Sequence, residues 1–269
     1  MNTSKIRVDQ VTVEYTKSNG RKWLSFGNHR KRKDGECRVV LHDINLRIEG
    51  GEFVSILGHS GCGKSTLLKI IAGFSRPAAG EVRIDGRKVD GPRPDHVFVF
   101  QEGALFPWLT IGENVAMALR SVADSKERLQ QSREYLALVA LEGVENDYPH
   151  MLSGGMRQRA EIARAMAARP DILFMDEPFS GLDHLTRLHL REEMLYLHIM
   201  LPQTTILFVT HDIDEALQLS NRLIILSEPP ARVKCCRTID VPHPRNPASD
   251  DLGELRAQIY HHLGVHTAL

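Results

Sequence analysis

Two short stretches of this chain hold residue types that together can do phosphate chemistry. The run Gly58-His59-Ser60-Gly61-Cys62-Gly63-Lys64-Ser65-Thr66 sets glycines, a lysine and hydroxyls at fixed spacing. Glycine lets successive backbone N–H groups turn inward, so Gly58, Gly61 and Gly63, with Ser60 and Cys62 between them, can cradle phosphate oxygens. Lys64 can reach the β- and γ-phosphates of a nucleotide such as ATP, Ser65 offers a hydroxyl to Mg²⁺, and Thr66 completes the binding set. A helix opening here adds its positive dipole end. Further along, Ile172-Leu173-Phe174-Met175-Asp176-Glu177 is an apolar run ending in two acids. Such a pair can be a solvated turn. Downstream of a phosphate loop it suits the other half of the chemistry, with Asp176 holding Mg²⁺ and Glu177 orienting and deprotonating the attacking water.

These groups need rigid elements behind them. Phe53–Leu57 reads as a buried strand entering the loop and Ser65–Ala72 as the helix leaving it. Ile6–Tyr15 alternates apolar and polar residues with a local break, and Val39–Ile48 alternates again. Between them, Thr16–Arg38 is rich in Lys, Arg, Gly and Asn and reads as an exposed loop carrying Arg30-Lys31-Arg32-Lys33. A strand pair, Glu81–Asp85 and Lys88–Val89, surrounds Asp85-Gly86, and His96–Phe100 is a further strand. The pattern is helical from Ile111 to Ala140, over Ser153–Ala168 and over Leu185–Met200. Ile172–Met175 and Thr205–Val209 are buried strands, Leu223–Leu226 closes a sheet edge, Val241–Pro247 is extended, and a short helix spans Leu252–Leu263. Strands alternating with helices predict an α/β core, with a helical subdomain at about 103–168.

Bulk composition narrows the classes. Lys+Arg and Asp+Glu balance at 34 each across 269 residues, so no global charge bias points to nucleic acid or an anionic surface. The apolar runs fall far short of the ~20 residues a membrane-spanning helix needs. Met1–Arg7 has no apolar signal core. The four cysteines form no CxxC pair, which favours reduced thiols and a cytoplasmic setting. The clustered His261, His262 and His266 read as a solvated terminus.

Five motifs in order give the chain a family resemblance. Leu152-Ser153-Gly154-Gly155-Met156-Arg157-Gln158-Arg159 resembles the signature motif of ABC ATPases and lies shortly before the paired acids. Gln101 resembles the Q-loop glutamine, Ser180-Gly181-Leu182-Asp183 the D-loop, and His211 after Val209-Thr210 the switch histidine. The resemblance implies a P-loop NTPase core of ABC ATPase type with an antiparallel β subdomain and an inserted helical subdomain. The ATPase domain would span 1–240, followed by a short extension over 241–269. It also implies a head-to-tail pair of ATPase chains in which Ser153 and Gly155 of one complete the γ-phosphate site of the other. His211 would contact the γ-phosphate and steady the water held by Glu177, and Gln101 would touch Mg²⁺. Tyr15 resembles the aromatic that stacks on adenine; a half-buried strand tyrosine is the other reading, and Trp23 or Phe26 in the long insert could take that role.

Finer resemblance, carried by Val99–Trp108, Ser153–Arg159, Asp176–Asp183 and Val241–Pro247, is to the importer group for nitrate, sulfonate, taurine and similar solutes. His59 departs from that pattern where proline is common, and Ser180-Gly181 where Gly-Ala is common. The implied partners are a second ATPase subunit, identical or paralogous, transmembrane permease subunits docking at Ala104–Leu109, and indirectly a solute-binding protein. The chain would then lie peripherally on the inner face of the cell membrane. A non-transport ABC ATPase working on nucleic acid or ribosomes is the alternative, supported only by Arg30–Lys33.

Overall fold

The computed structural model describes residues 4–18, 21–24, 37–101, 103–119, 121–246 and 249–264. Its contacts divide the chain into two compact units, residues 1–94 with 207–269, and residues 95–206. The Arg30–Lys33 run, Phe26 and His266 lie outside the described residues, as does the side chain of Trp23.

In the first unit, β1 (Ile6–Ser18), β2 (Arg21–Leu24), β3 (Cys37–Ile48), β5 (Ala79–Ile84) and β6 (Arg87–Lys88) form an antiparallel sheet. Alternation on β1 buries Ile6, Val8, Val11 and Val13, one face of the pleat. The local break is a bulge: register shifts between Val8 and Val11, and Gln10 takes φ 50°. Gly80 faces it so closely that a Cβ there would lie 2.4 Å from the carbonyl oxygens of Asp9 and Gln10. Asp85 and Gly86, with φ 52° and 74°, turn β5 into β6 through the two positive dihedrals of a tight hairpin.

The insert is not simply a loop. β1 continues to Ser18 and pairs with β2, Tyr15 opposite Leu24 and Ser18 opposite Arg21. Polar sequence on a two-stranded ribbon lacks the apolar alternation by which strands are recognised, which is why this hairpin was hidden.

The same unit holds β4 (Phe53–Leu57), α1 (Lys64–Ile71), α6 (Ile213–Leu219), β10 (Arg222–Leu226), β11 (Val233–Thr238), α7 (Asp250–His262) and, from Leu207 on, β9 (Thr205–Val209). Strand order here is β11-β10-β4-β9. Leu223–Leu226 therefore does not close the sheet: β10 pairs parallel with β4 and antiparallel with β11. β11, Val-Lys-Cys-Cys-Arg-Thr, is mostly exposed and carries no buried run to announce it.

The second unit contains β7 (His96–Val99), α2 (Ile111–Ala116), α3 (Ser125–Leu138), α4 (Gly154–Ala167), β8 (Ile172–Asp176) and α5 (His184–Met200), with β7 and β8 paired in parallel. The helical stretch predicted over Ile111–Ala140 is two helices. Thr110 and Glu113 form a capping box for α2, and Asp124 caps α3 by accepting from Lys126 N and Glu127 N. Those caps impose separate starts. No helix among the described residues is long and apolar enough to cross a membrane, and no disulfide joins the cysteines.

Candidate functional site

The phosphate loop lies in the first unit. β4 is buried at all five positions and delivers the chain directly into Gly58. A Cβ on Gly58 would lie 2.7 Å from Cys62 Sγ, and one on Gly63 2.7 Å from Leu41 Cδ2. Gly61 and Gly63 take φ 74° and 110°, in the region glycine enters without steric cost. Ser65 and Thr66 are half-buried in the first turn of α1. Lys64 is 4% exposed, and its ammonium donates to the carbonyls of Gly58 at 2.9 Å and His59 at 3.1 Å. Burial pushes the Cys62 thiol up, against the pull of Lys64. Cys62 is thus a neutral packing residue that holds the loop's inner wall, not a thiolate.

Two other predicted residues join the loop in this unit. Tyr15 Oη and Thr66 Oγ1 are hydrogen-bonded at 3.0 Å, so the tyrosine lies against the first turn of α1. His211 is exposed just past β9, in a turn braced from within. Thr210 N donates to Ile56 O at 3.3 Å, Thr210 Oγ1 donates to Glu215 Oε2 at 2.6 Å and accepts from Asp212 N at 3.0 Å. Asp212 caps α6 through Asp214 N and Glu215 N. The histidine's turn is thereby tied to the strand that feeds the phosphate loop.

The second unit carries the acids and the signature stretch. Asp176 is the buried last residue of β8. Glu177 follows with φ 48°, a conformation that costs a non-glycine residue on the order of 1–3 kcal/mol and concentrates at working sites. The turn holds it there: Glu177 O accepts from Ser180 N at 3.1 Å and from Gln158 Nε2 at 3.5 Å. Ser153 is the N-cap of α4, its Oγ accepting from Met156 N at 3.3 Å. Gly154 is exposed, and a Cβ on Gly155 would come within 3.1 Å of Leu182 Cδ2. Asp183 caps α5 through Thr186 N at 3.0 Å, and hydrogen bonds from the Thr186 side chain and backbone hold its carboxyl below the usual carboxylate range. A cavity of about 510 Å³ is bordered by Gln101, Gly154, Gly155, Arg157, Ser180 and Gly181. Within this unit, then, the glutamine, the signature glycines and the turn before Asp183 share one wall.

Three residues that the sequence patterns did not single out hold that wall in place. Glu161, 1% exposed on α4, accepts from Ala104 N at 2.8 Å and Phe100 N at 3.3 Å, the amides flanking Gln101. Arg164 donates to Ala104 O at 2.9 Å and lies 5.3 Å over the Phe106 ring. Buried Asn114 accepts from Phe106 N and donates to the carbonyls of Phe106, Leu109 and Thr110. A signal existed: Glu161 interrupts the apolar run Ala160, Ile162, Ala163 and Ala165, and a buried charge needs partners.

A family profile described as "ABC transporter" matches residues 41–180. The aliphatic sulfonates import ATP-binding protein SsuB of Bacillus cereus is 46% identical over 220 residues, 82% of this chain and 86% of that protein. The nitrate import ATP-binding protein NrtC of Synechococcus elongatus is 44% identical over 211 residues, 77% of this chain and 32% of its own length. A solved dimeric ATP-binding cassette, in a post-hydrolysis state with ADP and Pi bound, has a TM-score of 0.73 and 33% identity, covering 88% of this chain and 100% of that one.

Proposed function

The chain belongs to the ABC transporter family as an ATP-hydrolysing subunit, and from that premise we propose that it drives import of a small anionic or sulfonate-like solute through closure of an ATPase dimer. The observation that carries the mechanism is the shared wall of Gln101, Gly154, Gly155 and Ser180. It makes the signature stretch and the glutamine parts of one surface, as a nucleotide-sensing lobe requires. The sulfonate and nitrate import relatives support the solute class.

In this reading the amides of 58–64 and the Lys64 ammonium, turned from the carbonyls of Gly58 and His59, bind the β- and γ-phosphates of ATP. Ser65, Asp176 and Gln101 offer a hydroxyl, a carboxylate and an amide oxygen, the hard donors that Mg²⁺ takes, and the ion would neutralise phosphate charge there. Glu177 accepts a proton from the attacking water as its oxygen bonds to the γ-phosphorus and the bond to the β–γ bridging oxygen breaks. His211 donates to the γ-phosphate, and Tyr15 stacks on adenine. Ser153 Oγ, Gly154 and the Gly155 amide, at the positive end of α4, meet the γ-phosphate bound by the partner chain. Asp183 lies in the turn that faces the partner. Trp108 and Met151, 70% and 62% exposed, with Leu105 and Pro107 form the surface for a cytoplasmic helix of the permease, because apolar groups of that size are costly to leave in water. That contact would hold the chain on the inner membrane face, with a solute-binding protein reached only through the permease. Nucleic acid is not a proposed partner.

The test is light scattering of the Glu177→Gln protein with and without MgATP. Dimers that form only with MgATP and disappear when Ser153→Arg is added are the expected result. A chain that binds MgATP yet stays monomeric at high concentration would sink the homodimeric closure.

A further inference from the structure

We infer that α7 is a strap on the phosphate loop and that His59 is the positioning residue through which it acts, an inference that rests on the reading of residues 58–66 as the ATP-binding loop. His59 Nε2 lies 2.6 Å from the Leu263 carbonyl, just past the end of α7. A carbonyl only accepts, so this ring nitrogen carries the proton. The backbone oxygen of the same residue accepts from Lys64 Nζ at 3.1 Å. Residue 59 is therefore held from two sides, by the lysine that would read phosphate and by the C-terminal helix.

The helix is anchored independently of that contact. Leu252 and Ile259 are fully buried against Leu57, Ile213, Ala216 and Leu217. Leu57 is the residue before Gly58, and Ile213 lies two past His211. Arg256 grips Asp214 of α6 with Nη2 at 2.7 Å and Nε at 3.1 Å, and Lys234 Nζ donates to His262 O at 2.6 Å. The strap thus rests on the strand entering the phosphate loop and on the helix leaving the histidine's turn.

Its effect follows from conformational entropy. A glycine-rich loop has more freedom to lose than any other sequence when it closes on a ligand, and confinement beforehand lowers that cost. Fixing residue 59 before ATP arrives should tighten ATP binding without touching the chemical step.

The experiment compares full-length wild type, His59→Ala, His59→Gln and Arg256→Ala by two readouts: hydrogen exchange of amides 59–64 without nucleotide, and the KM for ATP against kcat. Removing one hydrogen bond should raise KM about three- to tenfold with kcat within about twofold, and exchange across the loop should quicken. His59→Gln, whose amide N–H can reach the same carbonyl, should restore both, and Arg256→Ala should shift both in the direction of His59→Ala. Unchanged KM and exchange in His59→Ala, or exchange that quickens with KM unmoved, would overturn the inference. Turnover that survives Lys64→Ala would instead bring down the assignment of the loop itself.

Discussion

Replacing Glu161 with alanine tests how the loop after Gln101 is held. Its carboxylate accepts from the amides of Phe100 and Ala104, which flank Gln101, and Arg164 stands 4.0 Å away. Each buried N–H left without an acceptor costs about 1–3 kcal/mol. Two effects keep the total toward the low end. Arg164 retains the Ala104 carbonyl at 2.9 Å, and the desolvation that pushes the Glu161 pKa up is relieved. The net loss should be about 2–3 kcal/mol, felt first in the loop. Hydrogen exchange followed by mass spectrometry over residues 99–106 reads it directly, since about 2 kcal/mol corresponds to roughly thirtyfold faster opening. Urea unfolding of the same variant gives the global share. Exchange over 99–106 equal to wild type, with a stability change below about 0.5 kcal/mol, would refute the claim that Glu161 is what ties the Gln101 loop to α4.

Glu161 also makes a pH prediction. Its folded pKa is raised, with burial the largest cause, so the folded state holds the proton more tightly than the unfolded one. Wild type should gain stability over Glu161→Gln as pH falls through that raised pKa, reach the full gain below the unfolded value, and lose it as pH rises again; urea midpoints across mildly acidic pH decide. Gly63→Ala should weaken ATP binding at least tenfold in equilibrium binding, because φ 110° and a Cβ 2.7 Å from Leu41 Cδ2 force the loop to shift. Trp108→Ala should leave thermal stability within about 1 kcal/mol, given its exposure, while reducing co-purification with the membrane subunits. Equal recovery of those subunits would remove Trp108 from the docking surface.

The residues read as phosphate-binding lie together in the chain because phosphate binding is a local demand. Gly61 and Gly63 take positive φ within the turn itself, and Lys64 and Ser65 follow at the spacing of a phosphate loop, so that pattern is contiguous, whereas the close approach of Leu41 to Gly63 is not. Asp176 was singled out only because a phosphate loop lies upstream, since an apolar strand ending in acids can equally be a solvated turn. The membership of the chain in the ABC transporter family followed from the order of five such stretches and agrees with the relatives found. What escaped was non-local or unpatterned. β11 and β2 pair through backbone groups that any residues supply; β11 is mostly exposed, and Arg-Lys-Trp-Leu of β2 is too short to show an apolar period. The break inside Ile111–Ala140 depended on whether Asp124 acts as a cap, which similar residues within helices do not.

The partners of the supporting residues were illegible for a different reason, and it bears on how such an enzyme couples chemistry to motion. Glu161 and Arg164 lie on the same helix that Ser153 caps, eight and eleven residues beyond it, yet they grip the loop that follows Gln101. A rigid α-helix therefore joins the group proposed to sense the partner's γ-phosphate to the loop proposed to face the permease. Because Glu161 is buried and accepts two amides, the helix and the loop move together unless about 2–3 kcal/mol is spent separating them. Buried bonds of this kind set no recurrent spacing, since their partners lie about sixty residues away in the chain. The motifs mark the chemistry proposed for ATP, whereas the unremarked acid on α4 is what fastens the loop after Gln101 to the helix that Ser153 caps.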